Sequence, residues 1–276
     1  MRSTSKTLYI TIFLLLMACI DTVVFAAPKA ELWPRWQENN PQSTTRVDHS
    51  VWAQFLEKYL VVGTAGATSL VRYAEVSSED KAALAKYIKT LSSLPISALN
   101  RTEQQAVWIN LYNSLTVQTI LKHYPVKSIR KISSGWLSSG PWGLKLVEVE
   151  GTKLSLNDVE HRILRPIWQD NRVHYAVNCA SLGCPNLQAE PFTADNMERL
   201  LDKAARDYIN SPRGVDFASG KLVLSSIYDW FQVDFGGSEE ALFIHLDKFL
   251  DPDLSVKLKA YQGSIAYGYN WDLNKK

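Results

Sequence analysis

Cysteine is scarce in this chain, at three in 276 residues, and Cys19 falls in a segment expected to be removed. Cys179 and Cys184 alone cannot make a disulfide-rich scaffold. An excess of either charge is also missing. Thirty Lys and Arg face 28 Asp and Glu with no basic tract, so the footprint of a nucleic-acid or anionic-membrane binder is absent. No internal repeat or low-complexity linker interrupts residues 48–274, and one mixed domain is the simplest account. The apolar run from Leu8 to Ile20 is broken by Asp21, too early for a retained membrane helix of roughly 20 residues.

That run reads instead as an export signal. Arg2 and Lys6 supply the positive end, and Val24-Phe25-Ala26 puts small residues where a signal peptidase reads,. Residues 1–26 are therefore expected to be a signal peptide, leaving a periplasmic or secreted protein with no membrane span after processing. The rival reading takes Leu16-Met17-Ala18-Cys19 as a lipoprotein box acylated at Cys19. Residues 27–47, with Pro28, Pro34, Pro41, Asn39 and Asn40, are expected as a poorly ordered lead-in. The domain itself is placed at 48–274.

Nine Trp and twelve Tyr supply apolar area for a packed body, and the expected fold is α+β, helices packed on a small antiparallel sheet. Asp48 caps a helix with Val51, Trp52, Phe55, Leu56 and Leu60 at helical spacing. Leu70 to Val76 suggests a short strand. Ser77 or Ser78 caps a helix with a buried stripe of Ala82, Leu84, Ala85 and Ile88. The helix from about Thr102 to His123 is apolar almost all round, as a buried helix is, with Asn110, Asn113 and Ser114 on one polar stripe. A hairpin follows, Leu144–Glu150 turning at Gly151-Thr152 into Lys153–Leu156. Ser155 opens a short helix, with Asp158 completing a capping box, and Pro166 ends it. On this helix Glu160 shares the apolar face while His161 lies to the side. Arg172–Asn178 alternates like a strand. Thr193 or Asp195 caps a helix to about Asn210, Leu222–Leu224 is a strand, Ile227–Phe235 an aromatic cluster, and Glu239–Leu250 the last helix before a Gly/Tyr-rich tail.

The densest chemistry is Val173 to Pro185, which gathers His174, Asn178, Cys179 and Cys184 where a strand gives way to a small-residue turn. If a helical turn starts at Cys179, its free N–H groups lower the thiol pKa. His174 or His161 is then the base such a nucleophile needs. Strand alternation, however, points His174 away from Cys179. The plainer alternative is a Cys179–Cys184 disulfide. A metal site from His174, Cys179 and Cys184 is a further alternative whose spacing fits no standard zinc pattern, and no cofactor is expected. Asn110 and Asn113 either saturate buried backbone or orient a catalytic group. Glu160 on an apolar face calls for a partner among Arg162, Arg165 and Arg172, or else acts as an acid/base. His49, His123 and His245 read as structural. Trp136, Trp142, Trp230 and Trp271 are core residues or a glycan-stacking surface.

These residues carry a resemblance. Asp48-His49-Ser50-x-Trp52, Trp108-Ile109-Asn110-x-Tyr112-Asn113, and Leu154-Ser155-Leu156-x-Asp158-x-Glu160-His161-x-Ile163-Leu164-Arg165 are similar to the domain of unknown function numbered 547. So are His174 to Pro185, Ser211-Pro212-Arg213-Gly214-Val215, Ile227-Tyr228-Asp229-Trp230-Phe231 and Tyr269-x-Trp271-x-Leu273-Asn274. The resemblance implies a family of bacterial exported proteins, also met at the C-terminus of some plant leucine-zipper proteins, without an assigned activity. Its recurrent positions fall on Asn110, Asn113, Glu160, His161, His174, Asn178, Cys179 and Cys184. A buried polar helix followed by a His-bearing strand is distantly similar to transglutaminase-like and papain-like folds, where the cysteine sits on the helix; here the helix offers Asn110 and Asn113.

Two functions follow as expectations. One is a cysteine-dependent hydrolase or acyl transferase: Cys179 the nucleophile, His174 or His161 the base, Asn178, Asn110 or Asn113 orienting or donating to an oxyanion, Glu160 a further polar orienter. The other is a non-catalytic cell-envelope binding module stapled by Cys179–Cys184, its ligand met by the Trp-bearing loop Gly135–Gly143.

Overall fold

Eighteen of the 23 residues of one helix, Arg101–His123, are buried, and the rest of the chain is wrapped around that rod. A computed structural model describes residues 28–63, 66–132, 140–217 and 220–276. The expected signal segment, with Cys19, lies outside the described residues, as does Trp136.

The elements run in chain order: α1 (Ser50–Tyr59), β1 (Leu60–Val61), β2 (Leu70–Val71), α2 (Ser78–Ser92) and α3 (Arg101–His123). The hairpin β3 (Val147–Val149) and β4 (Thr152–Leu154) leads into α4 (Leu156–Asp158), a π-helical turn (Val159–Leu164), α5 (Arg165–Trp168) and α6 (Val173–Ala176). Then come α7 (Met197–Ile209), β5 (Val215–Asp216), β6 (Leu222–Ser225), α8 (Ser226–Trp230), α9 (Glu239–Asp247), α10 (Pro252–Ala260) and β7 (Ile265–Gly268). The fold is α+β. Its described strands form three small sheets, not one: β1–β2 and β3–β4 are antiparallel pairs, and β6 pairs antiparallel with β5 but parallel with β7. No helix among the described residues is long and apolar enough to cross a membrane.

The core has two parts joined by helices that reach into both. α1 to α4 and the π turn enclose the larger cluster, around Trp52, Trp108 and Ile109. α8 to α10 and the mixed sheet enclose the smaller, around Tyr208, Tyr228 and Phe249. α7 gives Met197, Leu200 and Leu201 to the first, and Ala204, Ala205 and Tyr208 to the second. α6 does the same on a smaller scale, with Val173 and Ala176 on one side and Tyr175 on the other.

Several expectations need correction. Val173–Ala176 is a helix, not a strand; a short, wholly buried apolar run carries no surface period to distinguish the two. The hairpin turns at Glu150-Gly151 (φ +43° and +76°), one residue earlier than expected. Both central residues of such a two-residue turn need positive φ. Glu150 is held there because its carboxylate accepts from Ser97 N and Oγ and from Arg35. The buried stripe of α2 is Leu84, Tyr87, Ile88 and Leu91, with Ala82 and Ala85 exposed. Val71 ends its strand, and Tyr73–Glu75 is a 3-10 turn. Asn196, bonded through Thr193, starts α7, while Asp195 stays exposed. The tail was undervalued: α10 and β7 were not expected.

The lead-in is the clearest surprise. Trp36 is buried and meets Trp108 edge-on at 5.1 Å. Polar side chains at the start of α3 satisfy the backbone of this segment: Glu103 accepts from Val47 N, and Gln104 Nε2 donates to Glu38 O. Residues 31–33 find donorless carbonyls on the π turn, where Glu31 N donates to His161 O and Trp33 N to Arg162 O. Pro166 has no N–H to give Arg162, so that carbonyl is open to an outside donor.

Candidate functional site

The π turn decides which side chains face inward. Ser155 and Asp158 form the expected capping box, with Ser155 Oγ accepting from Asp158 N and the Asp158 carboxylate from Ser155 N. The widened turn that follows buries both Glu160 and His161; a regular helix places them about 100° apart. His161 was expected at the side and is 4% exposed. π turns of this kind are frequent at functional sites.

Glu160, His161 and His174 converge, together with Tyr112, Arg165 and Asp234. Glu160 Oε1 is 3.8 Å from His161 Nδ1 and 3.9 Å from His174 Nδ1, and its Oε2 accepts from Tyr112 Oη at 3.0 Å. Burial, then Glu160, pushes the Tyr112 phenol well above its ordinary value, so it donates as a neutral hydroxyl,. His174 Nε2 donates to Asp234 Oδ2 at 2.7 Å, and Arg165 Nε donates to the same oxygen at 2.5 Å. Burial alone raises the Asp234 pKa, but the His174 and Arg165 bonds outweigh it and hold the carboxyl below the usual range. The His174 ring stacks on Phe231 at 4.2 Å. Arg165, named as a partner for Glu160, serves Asp234 and His161 instead. Arg162 pairs with Glu31, and Arg172 with Asp170, Glu198 and Asp202.

Arg165 also fixes a tautomer. Its Nη1 lies 2.9 Å from His161 Nδ1. A guanidinium only donates, so Nδ1 is the acceptor and the ring proton sits on Nε2. Burial, countered in part by Glu160, lowers the His161 pKa, and Arg165 lowers it further. His161 therefore offers a donor, not the lone pair a general base uses.

The thiols sit elsewhere on the same loop. Cys179 and Cys184 are free thiols in this structure, not the disulfide set out as an alternative, with sulfurs 2.6 Å apart and Cys179 N donating to Cys184 Sγ. The other described partners of Cys179 Sγ are Ser181 Oγ at 3.2 Å and Tyr269 Oη at 3.0 Å. Neither His161 nor His174 hydrogen-bonds a thiol among the described residues. No helix starts at Cys179, and burial together with the neighbouring Cys184 raises its thiol pKa, opposite to the activation expected. Among the described residues, no group of three or more His, Cys, Asp and Glu is placed to hold a metal ion.

The asparagines are occupied by main chain. Asn110 makes a two-way pair with Phe192 O and N, and Asn113 donates to Ala176 O and accepts from Asn178 N. Asn178 donates to Pro185 O and accepts from Ala180 N, which turns Ala180 to φ +58°. The Asn113 and Asn178 amides thus shape the thiol loop, and each of the three commits its oxygen and one N–H to main chain,. The tail clasps the loop from outside: Leu182 N donates to Asp272 O, Gly183 N to Asn270 O, and Asn274 N to Ala180 O.

Beside the thiols, half-buried aromatics form a continuous group. Trp271 meets Tyr269 at 4.6 Å, Trp230 at 5.5 Å and Trp142 at 5.7 Å, with Arg130 over its ring at 5.2 Å. Trp142 and Trp271 pack on the larger core cluster, Trp230 and Tyr269 on the smaller. Tyr112, Arg165 and Trp230 lay within the motifs quoted from the sequence, as did Tyr269 and Trp271. Asp234, inside the aromatic run Ile227–Phe235, and Arg130 carried no signal of their own.

Residues 96–209 match the family described as protein of unknown function, DUF547. The matched stretch holds α3, the π turn, the thiol loop and α7; Asp234 and the tail lie beyond it. No curated protein and no solved structure matches the chain.

Proposed function

Through its residues 96–209 the chain belongs to the DUF547 family, and from that premise we propose that it is an exported cell-envelope binding module stapled by a Cys179–Cys184 disulfide. The observation that carries this reading is the proximity of the two sulfurs, which are unbonded at 2.6 Å and close enough for oxidation to join them,, with the imidazoles bonded elsewhere. A thiol hydrolase needs a base at its nucleophile. Here His174 Nε2 is bonded to Asp234, and His161 Nδ1 accepts from Arg165. The ligand surface is the Trp142, Trp230, Tyr269 and Trp271 group, which lies over the seam of the two core clusters, a common place for ligand sites. Flat rings with polar tips suit the mixed apolar and hydroxyl faces of a glycan.

Two measurements test it. Thiol titration of the unfolded, unreduced protein isolated after export is expected to find no free thiol; two free thiols end the staple. Tryptophan fluorescence titrated with soluble N-acetylglucosamine oligomers is expected to change saturably, and to lose that response in Trp271→Ala. An unresponsive spectrum, or an unaffected variant, removes the glycan surface.

A further inference from the structure

A cleft of about 260 Å³ opens between the π turn, the hairpin side and residues 28–31. It is distinct from the aromatic surface. His161, Asp158 and Arg162 line it from the π-turn side, Lys145 from beside the hairpin, and Lys29 and Glu31 from the N-terminal wall. The wall is tied down by main chain, through Glu31 N and Trp33 N on the carbonyls of His161 and Arg162, and by Arg165 Nη1 on Pro28 O.

The cleft presents a donor that no described side chain uses. His161 is 4% exposed, its proton is on Nε2, and no described residue accepts from that atom. That atom is not sealed in the interior, so a group entering the cleft can accept from it. The nearby carboxylates are engaged: Glu31 Oε2 on Arg162, and Asp158 Oδ2 on Lys145, Ser155 N and Ser155 Oγ. Lys29 is exposed and forms no ion pair among the described residues. Three cations against two acids leave the lining one positive charge in excess.

We propose that this cleft binds a small carboxylate-bearing molecule, one carboxylate oxygen accepting from His161 Nε2–H while Lys29 balances the charge. A phosphate is a poorer match, because its recognition favours a bidentate arginine and Arg162 is committed to Glu31.

The test uses the full chain and the imidazole resonances in long-range ¹H–¹⁵N spectra. N-acetylglycine is expected to shift the His161 Nε2 signal saturably, and its neutral amide to bind at least tenfold more weakly. Lys29→Glu, a substitution at an exposed site, is expected to weaken N-acetylglycine at least fivefold with an unchanged melting temperature. His161→Gln, which keeps a donor, is expected to retain binding that His161→Leu loses; if either fails to fold, the Lys29 variant decides. No saturation, equal response to the amide, an unaffected Lys29→Glu protein, or tighter binding of inorganic phosphate overturns the proposal.

Discussion

Replacing Asp234 by Asn keeps the shape of the side chain and removes its charge from beneath Arg165 and His174. Both donors converge on one oxygen, Oδ2, at 2.5 and 2.7 Å. The Arg165 side chain is 5% exposed and that of His174 2%, so neither gains water when its partner is neutralised. Breaking a buried ion pair on one side costs about 3–5 kcal/mol. Asp234 itself is 18% exposed, and Arg165 keeps its bond to Pro28 O, so the lower end, about 3 kcal/mol, is expected. With ordinary urea sensitivity this lowers the unfolding midpoint by about 1 M or more, the slope unchanged. The acid dependence has a definite sign. The folded carboxyl titrates below its unfolded value of about 3.9, so its contribution is complete above that pH. It is lost as pH falls through the folded value,. The gap between wild type and variant should therefore be full at pH 7 and narrow below about pH 4. A cycle with His174→Gln should show coupling of about 1–3 kcal/mol. A gap under about 1 kcal/mol at pH 7, or one that widens in acid, refutes the argument.

Three other outcomes are expected. Burial, which dominates in both, lowers His49 and His245 to about 4. The unfolded chain takes up these protons near pH 6.5, so urea stability should fall between pH 6.5 and 4 by on the order of 2–3 kcal/mol for each ring, and His49→Gln should remove its share of that slope. If the proposed Cys179–Cys184 disulfide forms, reductant should lower the melting temperature by about 4–8 °C, because opening a loop of about six residues returns about 2 kcal/mol of chain entropy to the unfolded state; Cys184→Ser should show no reductant effect. A Cβ at Gly183 meets Asn270 N at 2.7 Å and its O at 3.0 Å, so Gly183→Ala should cost about 1–3 kcal/mol and speed carboxypeptidase digestion of the tail.

How much of the site could be read in advance depended on reach along the chain. Ser155 and Asp158 are three residues apart, and their capping box was legible. So was the burial of α3, because a helix without a polar face has nowhere else to go. Glu160 and His161 were picked out, but their common burial was not, since a regular helical period sets them apart and only the π turn brings them together. His174 was identified on the wrong element. The asparagines were found as buried amides, yet which backbone groups they served, 63 to 82 residues away for Asn110 and Asn113, could not be read from spacing.

By itself the sequence determined the α+β class, the inner helix, the Ser77 cap, the Ser155–Asp158 capping box and the loop that holds both thiols, all products of local propensity and periodicity. The tertiary structure decided the partners. Tyr112 meets Glu160 across 48 residues, His174 meets Asp234 across 60, and Cys179 meets Tyr269 across 90. No local pattern encodes such pairs, because a buried charge takes whichever complementary group the packing of distant segments brings within hydrogen-bond reach.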